Sequence, residues 1–131
     1  MSITHTFTRS YKDQSANSMT DVDIVIGNSE DNIDDSIAGS TTNHQIHWAA
    51  TRANLQSLVF SSDSAITIYT NNPSGSSPQD TIPLVAGQVN GWVLATDGLS
   101  HCQISADVTT IYVTNSNSGA ATFKLRAVKN Q

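Results

Sequence analysis

The sequence predicts a single-domain, all-β protein: an antiparallel β-sandwich, jelly-roll-like, of about eight to ten strands. Three observations lead there. Apolar and polar residues alternate with period 2 in one run after another, while the 3.6-residue period of an amphipathic helix is nearly absent. Val, Ile and Thr recur throughout, and their branched side chains suit a pleated surface. Clusters of Gly, Asn, Asp and Ser separate the runs at the short, regular spacing of a sandwich or barrel.

The first run places Ile3, His5, Phe7, Arg9 and Tyr11 on one face and Thr4, Thr6, Thr8 and Ser10 on the other. Such a strand needs a partner, and Lys12 to Asn17 then reads as a polar turn. Residues 1–17 are therefore set apart as an N-terminal strand or arm, with residues 18–131 as the sandwich domain. The arm is expected to contact other subunits or a shell, although a first strand of the sandwich would carry the same pattern. Val22, Ile24 and Ile26 alternate with Asp21, Asp23 and Val25. The stretch from Gly27 to Thr42 is the least strand-like and is expected to be a crossing between sheets or a loop. Ile46 and Trp48 mark a third strand. Leu58-Val59-Phe60 is apolar on both faces, as in a buried central strand. Ile66 and Ile68 follow, then Ile82 and Leu84, a turn at Ala86-Gly87-Gln88, and a run from Val89 to Leu94. Val108 to Thr114 turns Ile111 and Val113 inward. In the last strand Ala121, Phe123, Leu125 and Ala127 alternate with Thr122, Lys124 and Arg126. The segment Asn71 to Pro78 reads as a surface loop.

Composition limits the function. Hydrophobic residues make up 37% and charged residues 13%, too little charge for a solvated, disordered chain. Six Lys plus Arg against eleven Asp plus Glu, a net charge of −5, cannot build the basic footprint that nucleic acid or an anionic membrane requires. No apolar run approaches the ~20 residues needed to span a bilayer. The start, Met1 to Thr6, has neither the charged nor the apolar region of a signal peptide, so synthesis in the cytoplasm is expected. The single cysteine, Cys102, excludes an intrachain disulfide framework.

Asp21, Asp23, Glu30, Asp31, Asp34 and Asp35 are oxygen-rich enough for calcium, but their spacing does not match an EF-hand loop, and a solvated acidic loop explains them. His44 and His47, three apart, fall on opposite faces of an extended strand, so they make a poor zinc pair. His101 and Cys102 are adjacent, and on a strand their side chains diverge; Cys102 reads as a small buried apolar residue. There is no Gly-x-Ser-x-Gly elbow and no phosphate-binding loop. No catalytic, cofactor or metal site is expected. The aromatics Tyr11, Trp48, Tyr69, Trp92 and Tyr112 could stack sugars, but Trp48 and Trp92 lie in apolar runs and suit a core or an interface. The candidate interface residues are Ile3, Phe7, Tyr11, Trp48, Tyr69, Trp92 and Tyr112.

From about Asn54 to Lys129 the chain resembles small virion-associated proteins of tailed phages, of the capsid decoration or cement type. The segments that carry the resemblance are Asn54-Leu55-Gln56-Ser57-Leu58-Val59-Phe60-Ser61-Ser62-Asp63, Ile66-Thr67-Ile68-Tyr69-Thr70-Asn71, Asp80-Thr81-Ile82-Pro83-Leu84-Val85-Ala86-Gly87-Gln88, Trp92, and Ala106 to Asn115. The resemblance implies a non-enzymatic protein on the capsid surface that binds the major capsid protein of the assembled shell. It also implies a homotrimer with no cofactor, and it brings no catalytic residues with it. The alternatives are a tail- or fibre-associated virion protein, a carbohydrate-binding β-sandwich module and, third, a hydrolase.

Overall fold

A computed structural model describes residues 2–12 and 18–130. The chain forms ten antiparallel strands: β1 (Ile3–Lys12), β2 (Ser18–Gly27), β3 (Ser29–Ile37), β4 (Thr41–Ile46), β5 (Leu55–Ser62), β6 (Ile66–Thr70), β7 (Thr81–Leu84), β8 (Val89–Val93), β9 (Ile111–Asn115) and β10 (Ala121–Lys129). A single helical turn, α1 (Leu94–Asp97), and two 3-10 turns, Arg52–Asn54 and Leu99–His101, are the only helix among the described residues.

Eight of the strands make two four-stranded sheets, one in the order β3-β10-β5-β8 and the other β4-β9-β6-β7. β6 pairs with β7, β5 with β8, β4 with β9, and β3 with β10. These pairs are one long antiparallel ribbon, closed at β6–β7, whose successive segments fall alternately in the two sheets. Wrapped in this way, the ribbon is a jelly roll. The expected all-β sandwich is therefore the observed fold.

The core lies between the sheets. Along β10 the inward set is Ala121, Phe123, Leu125 and Ala127, all fully buried. Phe123 stacks on Phe60 with ring centroids 6.2 Å apart, and Trp48 meets Phe60 edge-on at 6.4 Å. Val93, Ser57 and Val128 line up across β8, β5 and β10 on the opposite face of the first sheet.

The segment expected to be a loop is a strand. β3 runs nine residues through the acidic stretch as an edge strand, with Asp31, Ile33, Asp35 and Ile37 opposite the inward residues of β10. Its carboxylates are paired: Asp31 with Lys129, and, in more exposed positions, Asp34 with Arg126 and Asp35 with His44. Inward carboxylates weaken the apolar alternation and are a known device for protecting a sheet edge.

β1 and β2 form a separate two-stranded sheet, in register from Ile3↔Gly27 to Lys12↔Ser18. The division expected after residue 17 falls inside this hairpin, whose connection, 13–17, lies outside the described residues. The unit that stands apart from the sandwich is the whole hairpin.

Candidate interaction surface

The hairpin lies across the outer face of the first sheet, and its sequence explains why. Gly27 brings the chain against β10: a Cβ there would come within 2.5 Å of Val128 Cγ1 and 2.6 Å of the Lys129 carbonyl oxygen. Only glycine permits that approach. Val25 is buried with Val93 and Val128, and Phe7 packs against this small cluster. The Phe7 ring also lies over Gly91 of β8, 3.7 Å from where a Cβ would stand.

Polar clamps complete the attachment. His5 Nε2 lies 2.8 Å from Glu30 Oε2. Thr96 Oγ1 donates to Asp23 Oδ1 at 2.5 Å. Arg9 Nη1 and Nη2 donate to Asp97 Oδ1 and Oδ2 at 2.8 and 2.6 Å. The Arg9 hydrogen bond holds the Asp97 carboxyl below its ordinary range; partial burial opposes this and the Val93 N–H reinforces it. Reciprocally, the bond to Asp97 raises the Arg9 guanidinium further.

This attachment assigns the two faces of the hairpin. Ile3, His5, Phe7, Arg9, Asp23 and Val25 turn toward the chain's own sandwich. Thr4, Thr6 and Thr8 turn outward, opposite Ile26, Ile24 and Val22. The outward aliphatics are 53% (Val22), 66% (Ile24) and 58% (Ile26) exposed. Scattered surface apolar residues are ordinary, but three in alternation on one strand make a continuous patch.

The expected interface residues therefore divide. Ile3 and Phe7 are half-buried against their own domain, not on the outward face. Nothing is described of the Tyr11 side chain. Trp48 and Trp92 are 3% and 1% exposed and belong to the core, so neither presents a surface to a partner. Their indoles are also satisfied internally, Trp48 Nε1 by Asp31 Oδ2 at 2.9 Å and Trp92 Nε1 by the Gly98 carbonyl at 2.8 Å. Tyr69 and Tyr112 are directly opposite one another on β6 and β9, half-exposed on the outer face of the second sheet with Gln45 and Thr81 in the same row. Val22, Ile24 and Ile26, which are not among those expected residues, are the exposed aliphatics of the outward face. Alternation alone points the other way, with the aliphatic set inward and Asp21 and Asp23 outward; the clamps on Asp23 and Arg9 reverse it.

Other titratable and nucleophilic side chains lie away from the hairpin's outward face. His101 and Cys102 are not on a strand: His101 ends a 3-10 turn and its Nδ1 lies 2.9 Å from the Asp97 carbonyl oxygen. Cys102 is half-buried against the core, and burial pushes its thiol up, away from the reactive thiolate. His44 is bound to Asp35 at 3.0 Å while His47 is exposed. No group of three His, Cys, Asp or Glu among the described residues is placed to hold a metal ion. A shallow depression of about 370 Å³ is lined by Ala49, Thr51, Asn54, Asp107, Thr109 and Lys129. Its two charged residues are engaged: Lys129 with Asp31 at 2.8 Å, and Asp107 with the Arg52 N–H at 2.9 Å. No helix among the described residues is long and apolar enough to cross a membrane.

Comparisons with protein-family models, with curated proteins and with solved structures found no match.

Proposed function

We propose that this protein works by binding and assembly, without catalysis, as a virion protein of the capsid decoration type that fastens to an assembled shell. The observation that carries this reading is the β1–β2 hairpin: a complete jelly roll carries, on its outside, a two-stranded sheet that turns Val22, Ile24 and Ile26 outward beside Thr8, Thr6 and Thr4. A face of that kind is an association surface before it is anything else. The double-sheet jelly roll is also an architecture of viral capsid domains, which supports the reading by fold analogy alone. The resemblance of Asn54 to Lys129 to small phage virion proteins adds the class of partner, the major capsid protein.

The test is quantitative protein analysis of purified particles. A decoration protein appears at copy numbers near those of the major capsid protein and adds to undecorated shells in vitro. A tail or fibre component appears at tens of copies or fewer. Absence from particles, with no binding to purified shells, overturns the reading.

One observation favours a second reading. The opposed Tyr69 and Tyr112, flanked by Gln45 and Thr81, form a flat, aromatic and uncharged strip, the surface chemistry of a carbohydrate-binding module. Glycan-array binding by the isolated protein that is lost in a Tyr69→Ala/Tyr112→Ala variant would establish it.

A further inference from the structure

The outer face of the second sheet differs from the rest of the molecule in charge. Its strands β4, β6, β7 and β9 contain no Asp, Glu, Lys or Arg, and neither does the loop from Asn71 to Gln79 that joins β6 to β7. Its one histidine, His44, turns away to Asp35 of β3. The charged residues of the other strands all lie on the hairpin or the first sheet.

Two rows of side chains pave this face. Gln45, Tyr112, Tyr69 and Thr81 make one, and Thr114, Thr67 and Pro83 the next. Among the described residues neither tyrosine hydroxyl has a hydrogen-bond partner, and neither ring packs on another aromatic ring. A half-exposed tyrosine in that state offers a stacking face and a free O–H together.

The loop gives the strip a wall. Its two ends close on one carbonyl, that of Thr70, which accepts from the Asn72 and Gln79 N–H groups at 2.8 and 3.0 Å. Its tip is latched two strands away. The Ser74 N–H donates to Asn43 Oδ1 at 2.9 Å, and Asn43 Nδ2 donates back to the Ser74 carbonyl at 3.5 Å. Asn43 belongs to β4, and its own N–H donates to Thr114 Oγ1 of β9 at 3.1 Å. The core fills the inner face, so the loop passes from β6 to β4 over the outer one, beside the tyrosines. Asn43 has φ 56° at a break in the β4–β9 register, a left-handed backbone that asparagine tolerates.

We infer that this face binds a neutral glycan: Tyr69 and Tyr112 stack on sugar rings, Gln45, Thr67 and Thr81 bond sugar hydroxyls, and the latched loop walls the site. This deepens the carbohydrate reading of the preceding subsection and rests on it. A sugar carries C–H groups on its ring faces and hydroxyls around its rim, the complement of a surface made of aromatic rings, amides and hydroxyls. A uronic, sialic or amino sugar would lose hydration of its charge with no counter-ion here to receive it. Across four strands the row is about 14 Å long, room for a short oligosaccharide. The hairpin covers the opposite side of the sandwich, so a chain fastened through its hairpin presents this face outward.

The test is binding of the full chain to neutral oligosaccharides of glucose, galactose, mannose and N-acetylglucosamine, with oligouronates and sialylated glycans as acidic controls. An array selects the ligand, and calorimetry and amide-shift mapping follow. A neutral sugar is expected to bind and to shift amides of β6, β9 and residues 71–79. Tyr69→Ala/Tyr112→Ala is expected to lose at least ~10-fold in affinity. Asn43→Gly keeps the left-handed backbone and removes only the latch, so loop amides are expected to exchange at least ~10-fold faster and affinity to fall at least ~3-fold. The shift map needs no variant and decides should either fail to fold. Binding that maps to the hairpin or first sheet, prefers the acidic sugars, or ignores both variants overturns this inference and leaves the carbohydrate reading in place. No binding to any sugar, neutral or acidic, overturns both. Loss of shell loading in the tyrosine variant, with no sugar bound by the wild type, also overturns both and assigns the face to a protein partner.

Discussion

The Arg9 guanidinium grips the Asp97 carboxylate with both nitrogens, at 2.8 and 2.6 Å, across 88 residues of sequence. Asp97 also accepts the Val93 N–H at 2.8 Å, so one carboxylate folds the turn of α1 back onto the last residue of β8 and holds the hairpin. The hairpin's own buried cluster is small: Val25, Val93 and Val128 with Phe7. The polar clamps therefore carry a larger share of its attachment than they would in the core.

The first prediction concerns pH. Because Arg9 holds the Asp97 carboxyl below its ordinary value of 3.8, the folded state favours the ionised form. That contribution is fully present above the ordinary value and is lost as pH falls through the depressed folded value. Below pH 3.8 the amides of β1 and β2 are expected to lose exchange protection before those of β5 and β10. Asp97→Asn should lower stability by about 1 kcal/mol at neutral pH, since the pair is partly exposed, and should flatten this acid dependence. Equal protection of hairpin and sandwich down to global unfolding would contradict it.

Gly27 gives the second. A methyl group there collides with Val128 and with the Lys129 backbone, which cannot yield as a side-chain tip could. Gly27→Ala is expected to cost about 1–3 kcal/mol by forcing the base of the hairpin away from β10. Gly75→Ala, at a site with open space around it, is the contrast: its cost comes from the positive φ of 86° and leaves the hairpin undisturbed. Thermal melts together with exchange at β2 separate the two.

Asn115 is fully buried and gives the third. Its Nδ2 donates to the carbonyls of Ile37, Ala38 and Gly119, and its Oδ1 accepts the Asn117 N–H and side-chain amide. It ties the end of β3 to the turn between β9 and β10. Asn115→Ala leaves buried carbonyls without a donor and is expected to cost about 3 kcal/mol. Asn115→Asp should cost at least as much, because it replaces the donor with a charge. A denaturant midpoint within error of wild type would refute this.

Parts of this structure were legible in the sequence for a physical reason. β6 carries its core residues in strict alternation, and β10 does so from Ala121 to Ala127, so period and burial coincide there. The ends of other strands were less legible, because side chains there redirect the backbone. The run from Val89 does not reach Leu94, since Asp97 captures the Val93 N–H and the chain turns into α1. The run from Val108 pairs only at Ala50 before β9 begins, since Asn71 Oδ1 takes the Thr109 N–H and the Asn71 N–H goes to the Thr110 carbonyl. His101 likewise ends a 3-10 turn rather than lying on a strand, with its Nδ1 at the Asp97 carbonyl. The interaction surface was the hardest part. Alternation shows that Ile3 and Phe7 share a face, but not which face meets the sandwich. That depends on Asp97, Thr96 and Glu30, remote partners that no local pattern reveals.

The last prediction separates the acidic residues of β3, which by composition are equivalent. Asp34 meets Arg126 in an exposed pair in which the single nitrogen Nη2 donates to both carboxylate oxygens, at 2.9 and 3.1 Å. Asp35 meets His44, and both are more than a third exposed. Pairs in water contribute about 0–1 kcal/mol, because solvent screens the charges and ordering two side chains costs entropy. Asp31 is different. One oxygen, Oδ2, accepts from Lys129 at 2.8 Å and from the Trp48 indole at 2.9 Å, and Lys129 is only 7% exposed. Removing the charge at Asp31 strands a buried ammonium, and breaking a buried pair from one side costs about 3–5 kcal/mol. Asp31→Asn is expected near the lower end, because the amide oxygen can still accept from Trp48. Asp34→Asn and Asp35→Asn should each stay within about 1 kcal/mol of wild type. Nearly all the loss in a triple Asn variant should therefore come from Asp31, and Asp31→Asn/Lys129→Met should recover most of it by removing the stranded charge. Equal losses at the three positions, or no recovery in the double variant, would show that the acidic strand acts through its total charge instead.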